Sequence, residues 1–403
     1  MQTAIPDPIK ATDVGKQADD ILRTCVHCGF CLATCPTYDL LGNELDSPRG
    51  RIYLIKQVME GQDVTDKTQL HLDRCLSCRN CETTCPSGVD YGHLVDVGRQ
   101  VVDERVGRRP SARFTRWVLR AVLSHERRVT PLVKLGQMVR PMLPAAIKKS
   151  VPEKRAAGHW PAPRHARRML VLQGCVQPSM APQINAAAAR VLDRLGISLL
   201  AAPQAGCCGA VSYHLNAHEE GASFMRRNID AWWPYIEEGV EAIVMTASGC
   251  GAMVRDYAHV LRHDPDYARK AERVTELTRD LSEILAAEDL AALNLNGDGR
   301  KVAYHPPCTL QHGQKLAGVV EEILGRLNYA LTPIADKHFC CGSAGTYSIL
   351  QKALSHRLLK NKVEALESGG PDIIVSANIG CLLHIQTGTQ IGVRHWVELL
   401  DVA

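Results

Sequence analysis

The sequence predicts an α+β, multi-domain chain: an all-helical N-terminal domain, a basic helical connector, and then a duplicated α/β module. Three observations carry this. The first hundred or so residues hold two cysteine groups of identical spacing among segments of helical period, with almost no strand signal before residue 165. After Arg168, short apolar runs alternate with helical stretches, the pattern of parallel-sheet α/β units. Three cysteine positions then recur at offsets of 133, 133 and 131 residues: Cys175 to Cys308, Cys207 to Cys340, and Cys250 to Cys381. A fixed offset at three points indicates two copies of one unit. The expected divisions are 1–106, 107–167, 168–299 and 300–403.

At 403 residues, 45% apolar and 22% charged, the chain has the length and composition of a globular protein with more than one core. The N-terminus lacks a basic segment followed by an apolar one, so export is not expected. Sixteen clustered cysteines in a cytoplasmic chain point to metal or redox work rather than disulfides. No uncharged run reaches the roughly 18 apolar residues that span a bilayer. The net charge of +4 is unevenly placed: residues 105–168 carry 17 Lys/Arg against Glu126 and Glu153. Aromatics make up 5% and rarely interleave with the basic residues, so no nucleic-acid partner is expected.

Within the first domain, helices are expected over 14–22, from Pro48 (with Ile52, Ile55 and Met59 at helical spacing), over 66–74 and over 94–106. The cysteine groups lie in loops between them. The first is Cys25, Cys28, Cys31 and Cys35-Pro36; the second is Cys75, Cys78, Cys81 and Cys85-Pro86. Both read C-x2-C-x2-C-x3-C-P, the bacterial ferredoxin spacing for [4Fe–4S] clusters, and thiolate is a soft ligand suited to iron. Two zinc sites or free thiols are the alternative, which the complete match at eight positions and both trailing prolines disfavours. In two-cluster chains the fourth cysteine ligates the other cluster. The expected sets are therefore Cys25, Cys28, Cys31 and Cys85 for one, and Cys75, Cys78, Cys81 and Cys35 for the other.

In the connector, Phe114, Trp117, Val118, Ala121 and Val122 recur at helical spacing with Arg113, Arg116 and Arg120 between them. Such a helix suits an anionic lipid surface or an acidic partner. It equally suits packing on its own protein with the basic face solvated. Pro141, Pro144, Pro152, Pro161 and Pro163 then mark a linker.

The first module offers strands over 169–172, 197–200 and 242–246; the second repeats them over 302–304, 329–331 and 372–375. Each run leads to cysteine: Cys175, Cys207, Cys208 and Cys250, then Cys308, Cys340, Cys341 and Cys381. Open α/β sheets place their sites after the strands, so each set of four is a candidate metal or redox group. The plainer alternative is that they are small buried core residues. His305 and His312 flank Cys308 and His384 follows Cys381; a lone histidine is more often a satisfied residue than a ligand. Phosphate loops, G-x-S-x-G elbows and dinucleotide fingerprints are missing, so no flavin of its own is expected.

Several stretches together resemble the iron–sulfur subunits of glycolate oxidase, within a wider heterodisulfide-reductase-like family. They are the segment Cys25–Cys31, the run Ser47-Pro48-Arg49-Gly50-Arg51-Ile52-Tyr53, Gly206-Cys207-Cys208-Gly209, Ser248-Gly249-Cys250-Gly251, Cys308-Thr309-Leu310 and Cys340-Cys341-Gly342. The resemblance implies FAD-binding partner subunits that oxidise glycolate to glyoxylate. This chain, a non-catalytic component of the oxidoreductase, would carry the electrons toward a respiratory acceptor, quinone, at the inner face of the cytoplasmic membrane. The family's modules in their fullest form end in C-x2-C and hold a noncubane [4Fe–4S] cluster. Here the last cysteine is replaced by Met253 in the first module and His384 in the second. The remaining cysteines could hold a cubane cluster or zinc, with His384 completing the second site. Rival readings make the modules a catalytic disulfide or quinone reductase or a docking scaffold, or place the chain with a lactate or glycerol-3-phosphate dehydrogenase.

Overall fold

The computed structural model describes residues 1–144, 148–149 and 151–401. Residues 145–147 and 150 of the expected connector, and 402–403 of the second module, lie outside the described residues.

The N-terminal part is helical. The helix Asp13–Thr24 begins at Thr12, whose side chain accepts from the Gly15 N–H. The helix Pro48–Met59 begins at Ser47, which accepts from the Gly50 N–H, and Pro48 occupies the first turn, where its missing N–H costs nothing. Ile52, Ile55, Val58 and Met59 turn inward against Leu94, Val95 and Val102 of the helix Tyr91–Val106. The two helices cross closely because of Gly98: a Cβ there would stand 2.5 Å from Ile55. This crossed pair, with the short helix Asp66–Asp73, frames both cysteine loops.

The connector forms the helices Pro110–Leu123 and Glu126–Val139. Part of its charge is spent internally: Arg120 pairs with Glu220 at 2.6 Å and Arg116 with Asp73 at 3.2 Å. Its apolar side is not covered in the same way. Phe114, Trp117, Leu132, Leu135 and Met138 are each more than half exposed.

Among the described residues the strands form two four-stranded parallel sheets. The first has order β2-β1-β3-β4, with β1 Arg167–Val171, β2 Ile197–Ala201, β3 Ile243–Met245 and β4 Thr278–Asp280. The second has order β6-β5-β7-β8, with β5 Lys301–His305, β6 Ala330–Leu331, β7 Ile373–Ser376 and β8 Val393–His395. Registers correspond: Val171 faces Val244 as Tyr304 faces Val375. Each sheet changes direction of growth beside its first strand, and ligand sites in open α/β sheets sit at the carboxyl ends at that point. The modules share one apolar core, in which Val171, Ile197 and Val244 meet Val302, Val375 and Trp396.

The helical part docks on both modules. Arg79 reaches Asp256 of the first module at 2.7 Å, and His93 stacks on His259 with ring centroids 3.8 Å apart. Toward the second module, Thr83 Oγ1 lies 3.0 Å from His312 Nδ1, and the Tyr347 hydroxyl donates to the Arg74 carbonyl at 3.2 Å.

Candidate iron–sulfur and thiol centres

The two N-terminal cysteine loops adopt one conformation twice. His27 and Gly29 have positive φ in the first, and Ser77 and Arg79 occupy the matching positions with positive φ in the second. These reversals curl each C-x2-C-x2-C segment round a common centre. Glycine takes such a conformation freely; Arg79 does not. Its side chain is anchored across the domain boundary on Asp256, which offsets that cost.

The structure gathers the eight cysteines into two adjoining cavities. Cys25, Cys28, Cys31 and Cys85 line one; Cys35, Cys75 and Cys78 line the other; Cys81, Pro48 and Tyr91 stand in the shared wall. Each loop thus meets the trailing cysteine of the opposite group. Burial pushes the Cys31 thiol up to about 11, and drives Cys78 and Cys81 well above the usual thiol range. Thiolates in such places need compensating positive charge from iron. Backbone N–H groups already point at sulfur, Ser77 to Cys75 at 3.4 Å and Val89 to Cys85 at 3.5 Å, and the Tyr91 hydroxyl faces Cys75 Sγ at 3.7 Å. An all-sulfur donor set, apolar walls and N–H···S contacts fit [4Fe–4S] clusters, whose potentials such contacts tune.

Several supporting residues carry no sequence signature. Arg51, 1% exposed, donates to the His71 carbonyl at 2.7 Å and to Thr37 Oγ1 at 3.1 Å, beside Asp46. Arg99 donates to the carbonyls of Leu72 and Cys75 and to Ser77 Oγ. Charged residues between cysteine groups read as solvated surface. Arg51 falls in the run that carries the family resemblance, yet its buried contacts are set by the fold, which packs Gly50 of that run against the Glu44 carbonyl.

In the first module Cys175, Cys207, Cys208 and Cys250 lie near one another, close enough to perturb each other's thiols, and the Gly209 N–H donates to Cys207 Sγ at 3.4 Å. Hydrogen bonds from Cys175 and Cys208 hold the Cys207 thiol well below its ordinary range. In the second module Cys308 and Cys340 lie 3.9 Å apart, Sγ to Sγ, and Cys341 and Cys381 lie within 4.8 Å of each other and of a ring nitrogen of His305. His384 Nε2 instead lies 3.1 Å from Ser355 Oγ. The glycine after each cysteine pair is required: Gly209 and Gly342 have φ of +91° and +88°, and a Cβ would stand 2.8 Å and 2.6 Å from the carbonyls of Gly221 and Ser355. Cys308 and Cys340 share an apolar cluster with Leu76, Tyr347 and Cys78, so the second module abuts the cavity lined by Cys75 and Cys78.

Residues 21–89 match the 4Fe-4S dicluster domain, and residues 169–255 and 302–386 each match the Cysteine-rich domain. The whole chain is similar to the glycolate oxidase iron-sulfur subunit of Escherichia coli (strain K12), with 54% identity over 404 residues, 100% of this chain and 99% of the relative. The chain belongs to the family of glycolate oxidase iron–sulfur subunits. The probable glycolate oxidase iron-sulfur subunit of Bacillus subtilis (strain 168) is 30% identical over 400 residues, covering 92% of this chain and 89% of the relative. Lactate utilization protein A of Bacillus licheniformis is 28% identical over 238 residues, 57% of this chain and 94% of the relative. Members of the family are electron-transfer components of an oxidoreductase complex, and iron–sulfur clusters and partner subunits come with membership. Among the described residues no helix is long and apolar enough to cross a membrane.

Proposed function

We propose that this chain carries electrons within a glycolate oxidase complex, from an FAD-binding subunit that oxidises glycolate to glyoxylate toward quinone. The carrying observation is the gathering of eight ferredoxin-type cysteines into two cavities with a common wall, in a chain without a flavin or nicotinamide motif. One [4Fe–4S] cluster is held by Cys25, Cys28, Cys31 and Cys85, the other by Cys75, Cys78, Cys81 and Cys35. Cys28 is exposed beside exposed Val26, Phe30 and Tyr53, which makes the first cluster the docking point for the flavin partner. Electrons then pass to the second cluster, which faces Cys308 and Cys340. The units of this route are the cluster domain 1–106, the connector 107–167 and the modules 168–299 and 300–403.

The test is anaerobic electron paramagnetic resonance of the purified chain. Glycolate added to the chain alone leaves the clusters oxidised; with the FAD-binding subunits added, they become reduced. Glycolate oxidation by the isolated chain would overturn the proposal. A lactate-oxidising partner is the second reading, supported by the 28% identity to a lactate utilization protein, and lactate replaces glycolate in the same assay to separate the two.

The quinone acceptor calls for a membrane surface. The connector supports one, with Phe114 and Trp117 at 64% and 56% exposure next to exposed Arg113. Amphipathic cationic helices bind at the interface of anionic bilayers. Sedimentation with vesicles containing phosphatidylglycerol should retain the chain and release a Phe114→Ser, Trp117→Ser variant; equal retention of the two would refute this part.

A further inference from the structure

We propose that the second cysteine module binds a single divalent metal ion of zinc type through His305, Cys341 and Cys381, and that the first module does not. This goes beyond the electron route and stands independently of it.

His305 is the last residue of β5, opposite Ser376 of β7 and only 1% exposed. Neither of its ring nitrogens has a hydrogen-bond partner among the described residues. Buried polar groups are nearly always satisfied, and each one left unpaired costs about 1–3 kcal/mol. An imidazole with both nitrogens orphaned is therefore waiting for a ligand. A ring nitrogen and the sulfurs of Cys341 and Cys381 lie within 4.8 Å of one another, and all three residues are buried. A tetrahedral zinc ion, with bonds of about 2.3 Å to sulfur and 2.0–2.1 Å to nitrogen, sets its donors ~3.5–3.8 Å apart. Small side-chain rotations close that difference. Thiolates on separate irons of a cubane stand apart by an iron–iron edge as well as two iron–sulfur bonds, so this spacing suits one ion.

The charges agree. A neutral imidazole is the form that ligates metal. Two thiolates then neutralise a divalent ion, so the loaded site can be buried without a further counter-charge. Asn378 Nδ2 faces Cys381 Sγ at 3.5 Å and orients it. Three protein donors leave a fourth coordination position open.

The first module has lost the nitrogen donors. The offset of 133 puts Leu172 where the second module has His305, and the offset of 131 puts Met253 where it has His384. Leu172 and Met253 are both buried in the apolar cluster that contains Cys208. His384 is not a donor in this arrangement, since its Nε2 is engaged with Ser355, whose hydroxyl donates to the Gly342 carbonyl at 2.8 Å.

The test uses the full-length protein purified anaerobically with its clusters, and Zn²⁺ and Co²⁺ as probes. Mass spectrometry should find one zinc per chain. His305→Ala should weaken zinc binding by more than the roughly 100-fold that losing an outer-shell partner costs, while His384→Ala and Cys207→Ser leave it unchanged. His305→Cys should restore binding and alter the Co²⁺ charge-transfer spectrum. Iron–sulfur absorbance reports whether each variant is folded. Should the His305 variants fail to fold, zinc X-ray absorption on the unaltered protein decides, with one nitrogen beside sulfur expected. A sulfur-only shell, undiminished zinc in folded His305→Ala, or no zinc or cobalt bound at all would overturn the proposal.

Discussion

Replacing Arg99 by methionine should destabilise the second cysteine loop by about 3–5 kcal/mol. Arg99 is 8% exposed, and its guanidinium donates to the Leu72 carbonyl at 3.0 and 3.2 Å, the Cys75 carbonyl at 2.7 Å and Ser77 Oγ at 2.9 Å. Methionine replaces most of the apolar stem, so little packing is lost. It leaves two buried carbonyls without their charged donor, each costing about 1–3 kcal/mol, and removes a cation near the buried Asp96, 3.9 Å away. Leu72, in the last turn of the helix Asp66–Asp73, and Cys75 lead into the second loop, so the damage should be selective. The assay is urea unfolding followed by circular dichroism, alongside the loss of each cluster's paramagnetic signal. The cluster served by Cys75, Cys78 and Cys81 should be lost at lower urea than the one served by Cys25, Cys28 and Cys31. Arg99→Lys should fall between, since one ammonium cannot span three acceptors. A cost below about 1 kcal/mol, or equal loss of both clusters, would refute the reasoning.

Two further outcomes follow from local geometry. Gly342→Ala should cost roughly 3 kcal/mol or more, combining a left-handed alanine with a Cβ 2.6 Å from the Ser355 carbonyl. Gly299→Ala, at φ +67° with open space around it, should cost about 1–2 kcal/mol; calorimetry showing equal costs would sink the argument. The contact between the helical domain and the first module should weaken in mild acid. Burial, then the neighbouring His93 and Arg262 charges, lowers His259 to about 4, and its Nε2 pairs with Gln17 at 3.1 Å. A histidine whose folded pKa lies below its unfolded value near 6.5 gives stability that is full above that value. That stability is lost as pH falls from 6.5 to about 4. His259→Gln should flatten this dependence, and an unchanged slope of stability against pH would contradict it.

The sequence made the strands legible where they end in cysteine. β1, β2, β3, β5, β6 and β7 lie within or beside the short runs read as strands, each followed further along by a cysteine, and the constant offset tied them into two units. It did not reveal β4 and β8. These are three-residue edge strands, each with an exposed arginine at its centre, Arg279 and Arg394, so hydrophobicity does not mark them. Nor did it single out Arg51 and Arg99, because an arginine that donates to loop carbonyls looks like any other charge until the chain is folded. His305 was visible beside Cys308. Its significance comes from burial at the end of β5, which no local pattern encodes. His384 drew attention through its spacing, while the fold engages it with Ser355, a residue 29 positions away.

The crossed holding of two clusters is the central claim, and paired cysteine substitutions test it most directly. Cys35→Ser combined with Cys78→Ser removes two ligands of the same cluster, so one ferredoxin-type paramagnetic signal should survive in the reduced protein. Cys35→Ser combined with Cys28→Ser removes one ligand from each cluster and should abolish both. The reverse result, a surviving cluster in the second pair and none in the first, would show that each loop keeps its own fourth cysteine and would contradict the account.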